Sequence, residues 1–166
     1  MAQDEVDRLT EAWRHERPDL DVGPMEVLSR VSRLARHLDR ERRAAFTEHG
    51  LEPWEFDVLA ALRRAGEPYE LSPGVLLGQT LVTSGTMTAR VDKLTARGLV
   101  SRRRDEDDRR AVRVRLTEFG KKSVDAALEG LLTNERRLLA GLGDEERTRL
   151  ADLLRTLVLP FDDAPS

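Results

Sequence analysis

The 166-residue chain contains no cysteine. Disulfides, thiol-based redox sensing and cysteine–zinc sites are therefore excluded. Histidine is scarce: His15, His37 and His49 are scattered, without the spacing of a metal site. No apolar run approaches the roughly 20 residues that span a bilayer. The opening Met1, Ala2, Gln3, Asp4, Glu5 is acidic, unlike the basic start of a signal peptide, so a cytoplasmic protein with no membrane partner is expected. Gly74, Gly78 and Gly85 are not followed by the Lys-Ser/Thr that a phosphate-cradling loop needs. There is no nucleophile motif, and the abundant carboxylates read as solvated helix faces. An enzyme is not expected, nor is a cofactor or a bound metal.

The chain also lacks an overall positive charge, with a net charge of −3. The charge is unevenly spread. Residues 81–117 hold ten Lys or Arg against five Asp or Glu, which leaves eighteen against twenty-six elsewhere. A basic island in an acidic chain implies a localised contact with a polyanion.

That island lies in the stretch that organises the chain, residues 71–117. Ser72 before Pro73 is a helix N-cap followed by proline at the first helical position, where the missing N–H does no harm. The short helix stops near Thr80. A second helix follows, with Thr83 or Ser84 as its cap. Along it Met87, Val91 and Leu94 recur at spacings of four and three and share one face. Gly98 ends it. The other surface carries Thr83, Ser84, Thr86, Thr88, Arg90, Lys93 and Arg97. Short hydroxyls mixed with cations suit phosphate and base-edge contacts in a major groove; a solvated helix is the plainer alternative. Residues 99–104 and 111–116 are strand candidates. In the second, Val112, Val114 and Leu116 alternate with Arg113 and Arg115. The loop at 105–110 carries Arg109 and Arg110, which can reach phosphates or a minor groove. Its four acidic residues, Asp105 to Asp108, also allow a solubilising turn. Two short helices and a two-stranded hairpin, in that order, predict a mainly α fold with a small β wing: a winged helix-turn-helix. Residues 69–71 are a short strand candidate that pairs with the wing.

Around this module the pattern is helical. An amphipathic helix over 5–17 has Val6, Leu9 and Trp13 in register, and Pro18 ends it. Residues 25–48 form a long helix with Val27, Leu28, Val31, Leu34, Ala35 and Leu38 as one stripe. Gly50 stops it, and 53–64 is the next helix. Thr117 caps a helix running to about Leu139, and Asp144 caps a last one over 145–158 with a stripe of Leu150, Leu153, Leu154 and Leu157. The tail after Pro160 is expected to be disordered. The organisation is N-terminal helices over 1–48, the DNA-reading module over 51–117 and C-terminal helices over 118–160. The terminal helices carry more apolar face than the small module can cover, which predicts a homodimer built from both chain ends; a monomer burying these faces internally is the alternative.

Over residues 25–158 the chain resembles the MarR family of bacterial transcriptional regulators. The resemblance rests on the end of the second helix, the D-x-R wing tip (Asp107, Arg109) and the L-T-x-x-G that opens the following helix (Leu116, Thr117, Gly120). It implies a winged-helix dimer on double-stranded operator DNA, with residues 83–97 as the recognition helix and Arg109 in the minor groove. The helix before Met25 adds a narrower resemblance to the urate-responsive branch, whose tryptophan, aspartate and two arginines match Trp13, Asp57, Arg90 and Arg102. This implies that Trp13 and Arg90 hold a small anion. It also implies that Asp57 pairs with Arg102 until the ligand's charge repels it. Similar regulators answer to citrate and aconitates, so urate and tricarboxylates both stay open. The function implied is a repressor that leaves a pseudo-palindromic operator when a small anionic metabolite binds. A DNA-binding or architectural protein without such a ligand is the alternative.

Overall fold

A computed structural model describes residues 3–80, 82–104 and 112–162. Among them the elements run α1 (Glu5–Glu16), α2 (Gly23–Glu48), α3 (Pro53–Arg64), β1 (Glu70–Leu71), α4 (Pro73–Thr80), α5 (Ser84–Ala96), β2 (Val100–Arg104), β3 (Val112–Leu116), α6 (Glu118–Leu138) and α7 (Asp144–Asp162). The winged helix-turn-helix order is present, with helices on either side of it. The residues of the wing tip, with Asp107, Arg109 and Arg110, lie outside the described residues.

The three strands form one antiparallel sheet in the order β1-β3-β2. β1 pairs Glu70 with Arg115 and Leu71 with Val114, and β2 pairs Val100 with Leu116. The expected alternation in β3 holds at Val114 and Leu116, both buried. Val112 is exposed, because it sits at the outer end of the hairpin, beyond the helices that cover the sheet's root.

Local chemistry explains where the helices start. Ser72 Oγ accepts the Val75 N–H at 3.3 Å ahead of α4. Thr83 Oγ1 accepts the Thr86 N–H ahead of α5, and Thr117 Oγ1 accepts the Gly120 N–H at 2.9 Å ahead of α6. Each satisfies an N–H that has no partner inside the helix. Gly98 closes the C-terminal end of α5 with φ 69°, in the left-handed region that suits glycine.

The core belongs to the reading module. Leu59 and Leu62 of α3, Leu76 of α4, Met87 and Leu94 of α5, and Leu99 and Val114 of the wing root are fully buried. Phe46, near the end of α2, stacks on Phe56 with ring centroids 4.1 Å apart. α6 enters through one stripe, Gly120, Val124, Ala127 and Leu131. Thr117 locks its start by donating to the Gly98 carbonyl at 2.7 Å. A Cβ on Gly120 would lie 2.0 Å from the Leu99 carbonyl oxygen, so the glycine of L-T-x-x-G lets the helix backbone pass directly over the wing root.

α1 is fastened to α2 largely by charge. Arg30 pairs with Asp4 at 2.9 Å and Asp7 at 2.6 Å, Arg33 with Glu5, and Arg14 with Glu26. Val6 and Thr10 fill the contact. Hydrogen bonds from the Arg30 guanidinium, then the Asp7 N–H, hold the Asp4 carboxyl below its ordinary pKa.

The last helix departs from the sequence expectation. α7 continues through Pro160 to Asp162. Proline costs most in a helix interior, where a further ladder bond is lost. Here it sits in the last turn, and the Thr156 carbonyl it leaves without a donor belongs to an exposed residue.

Candidate nucleic-acid interface

α5 turns Met87, Val91 and Leu94 into the core, which fixes what it shows to the outside. Thr83, Ser84, Thr86, Thr88 and Lys93 are exposed and Arg90 is half-buried. The Thr83 and Thr86 hydroxyls lie 2.9 Å apart, and the Thr88 hydroxyl donates to the Ser84 carbonyl at 3.1 Å. These bonds orient the hydroxyls while leaving oxygen lone pairs available outward. Thr86, Arg90 and Lys93, at spacings of four and three, thus share one side of the helix with the Thr83 hydroxyl at its start, while Thr88 lies on the side that meets β2.

α3 holds α5 in place at two adjacent residues. The Trp54 ring lies under both cations, with the Arg90 guanidinium 5.3 Å and the Lys93 ammonium 6.0 Å from its centroid. The Trp54 Nε1–H donates to the Glu52 carboxylate at 2.8 Å. Next to it, the buried Glu55 carboxylate pairs with Arg97, whose guanidinium also donates to the Gly50 carbonyl at 2.7 Å. Glu55 additionally accepts the Glu52 N–H at 2.9 Å. The buried carboxylate is therefore satisfied by a cation and a backbone donor, as a buried charge requires.

Arg102 of β2 ties the wing to the same helix. It pairs with Asp92 at 2.7 Å and donates to the Thr88 carbonyl at 3.5 Å. The expected Asp57–Arg102 pair is not formed. Thr88 and Asp92 are one turn apart on α5, directly across from β2, and this carboxylate meets Arg102 first. Asp57 is exposed on α3, three residues beyond Trp54. Trp13 is exposed on α1; among the described residues no hydrogen bond, ion pair or ring contact joins it to Asp57, Arg90 or Arg102. Of the four positions singled out as an anion site, the structure thus places Arg90 on the α3 side of α5 and Arg102 of β2 against the other side of that helix, and leaves Trp13 and Asp57 unlinked to them. Trp54, Glu55 and Asp92 were not singled out, and Arg97, expected on the outer surface of the helix, is instead tied to Glu55. For Glu55 a signal existed, since it shares a helical stripe with Leu59 and Leu62, both fully buried.

The MarR family model matches residues 49–111, which begin just after α2. The HTH-type transcriptional regulator PecS of Dickeya dadantii is 39% identical over 150 residues, 90% of either chain. The chain belongs to the MarR family. A solved MarR family protein from Bacillus stearothermophilus is 27% identical, covers 87% of this chain and 99% of its own, and superposes with a TM-score of 0.74. BpsR of Bordetella bronchiseptica, whose DNA binding is regulated by 6-hydroxynicotinic acid, is 28% identical over 81% of this chain and 94% of its own, with a TM-score of 0.60. As a MarR-family protein, the chain is a DNA-binding transcriptional regulator and not an enzyme. Its winged helix is the MarR DNA-binding module, and no helix among the described residues is long and apolar enough to cross a membrane.

Proposed function

We propose that this MarR protein is a repressor that binds a pseudo-palindromic operator as a homodimer and is released by a small anionic metabolite. The observation that carries the DNA half is the exposed surface of α5: hydroxyls at Thr83 and Thr86 in line with Arg90 and Lys93, which lie over Trp54 of α3, and the Thr88 hydroxyl on the side toward β2. Ser84 completes that face, and Arg109 and Arg110 are proposed to extend it to the backbone or minor groove from the wing tip. Dimer formation is supported by α7, which buries none of its residues. Leu153 is 58% and Phe161 80% exposed, and apolar faces of this extent mark association surfaces.

The anion half rests on Arg90 and Arg102. Each is held by a single neighbouring element, Arg90 by the Trp54 ring and Arg102 by Asp92 with the Thr88 carbonyl behind it. A compact anion competes for either cation, because an ion free to approach closely rivals a ring face or a solvent-exposed carboxylate. Drawing Arg102 away from Asp92 unties β2 from α5. Asp57 lies one turn from Trp54 on α3, and its charge raises the energy of an anion that settles beside it, by about 1 to 4 kcal/mol at contact distance, which it relieves by moving. Trp13 supplies an aromatic wall when the partner chain or the ligand brings it in. BpsR's response to a small aromatic acid fits this chemistry, and urate, citrate and trans-aconitate remain the anions to test.

The test is a gel-shift titration on the DNA upstream of the protein's own gene at fixed salt, with urate, citrate, trans-aconitate and 6-hydroxynicotinate added separately. Release by one anion, with a blunted response in Asp57→Asn, is the expected result. Tight binding that none of them disturbs would leave the DNA reading standing and remove the anion site.

A further inference from the structure

We propose that Trp54 is a positioning residue for DNA reading: its indole face sets Arg90 and Lys93 in their DNA-facing pose before DNA arrives. The ring is part of α3, yet both cations above it belong to α5, with centroid distances of 5.3 Å and 6.0 Å. Two cations three residues apart on a helix surface repel each other and, left free, sample many rotamers. An aromatic face is electron-rich at its centre and attracts both. The Nε1–H of the ring donates to the Glu52 carboxylate at 2.8 Å, which restrains its rotation. That carboxylate at the indole edge also pushes electron density toward the face the cations touch. The neighbouring Glu55 fixes the far end of α5 through Arg97. One turn of α3 therefore determines both where the recognition helix sits and which way its cations point, and ordering them in advance lowers the entropic cost of binding.

The inference rests on α5 as the reading helix, and the experiment separates the two. Operator and scrambled duplexes of equal length are titrated at two salt concentrations with the full-length wild type, Trp54→Leu, Trp54→Phe, the Arg90→Met/Lys93→Met double variant and the triple variant adding Trp54→Leu. Wild-type-like operator binding by the double variant would sink the reading of α5 itself. If α5 reads DNA, Trp54→Leu lowers the ratio of operator to scrambled affinity about tenfold. Trp54→Phe, which keeps a ring face, stays within about threefold of wild type. The triple variant is no weaker than the double, since Trp54 acts through the cations it no longer has. A ratio within threefold of wild type in Trp54→Leu, Trp54→Phe as damaging as Trp54→Leu, or a further tenfold loss in the triple variant overturns the proposal. NMR of the free wild-type protein tests the placement without any variant. The Arg90 side-chain protons resonate upfield through the Trp54 ring current, and random-coil positions contradict it.

Discussion

Two residues carry the attachment of α5 and the passage of α6 over the wing. Glu55 is buried to 2% of its surface, while its partner Arg97 is half in solvent. Removing the cation strands a carboxylate in the core. Arg97→Ala is therefore expected to destabilise the fold by about 3 kcal/mol, the lower end of the range for a broken buried pair because one partner is partly solvated. Urea unfolding measures this, and a loss below 1 kcal/mol would mean that water reaches Glu55. Gly120 makes a different demand. Any side chain there meets the Leu99 carbonyl oxygen, which is backbone and cannot rotate away. Gly120→Ala is expected to cost about 2 to 3 kcal/mol by overpacking, with α6 shifted from the wing; an unchanged denaturation midpoint would show that α6 moves freely. The L-T-x-x-G pattern was legible in the sequence as a family mark, but its reason lies in a contact twenty-one residues away and became visible only in the fold.

At the scale of elements, what the sequence made legible follows from local chemistry. α3 and α4 run over the residues predicted, because proline at the first position of each and glycine or threonine at the ends act within one turn. The cap of α5 and its Met87–Val91–Leu94 stripe were legible for the same reason. The choice of Asp92 over Asp57 as the partner of Arg102 was not, since it depends on how β2 lies against α5. Nor was the extent of α7, where a last-turn proline was weighed as a terminator. α1 yields a prediction of its own. It is held mainly by exposed ion pairs, and Asp4 titrates below its ordinary value because Arg30 hydrogen-bonds its charged form. The unfolded form of that group binds protons more readily, so its contribution is present above the ordinary carboxylate value and is lost as pH falls from there through the lowered folded-state value. In an acid titration followed by NMR, the Val6 and Thr10 amides should reach random-coil positions before those of Leu59 and Val114, and earlier in high salt. A single transition for all four would contradict this.

The whole molecule is a basic reading module carried on an acidic, apolar-striped helical frame. The net charge of −3 is compatible with DNA binding because the positive residues are concentrated between α5 and β3. The stripes on α1, α2, α6 and α7 that the fold leaves exposed, among them Leu9, Val27, Leu128 and Leu157, are the surfaces a second copy would cover. In the account proposed here the dimer has a mechanical purpose: it spaces two α5 helices for one face of the duplex. The most direct test is hydroxyl-radical footprinting of the wild-type protein on its operator. Two protected patches on one face, centred about one helical turn apart, are predicted. A single protected patch would contradict the dimeric reading.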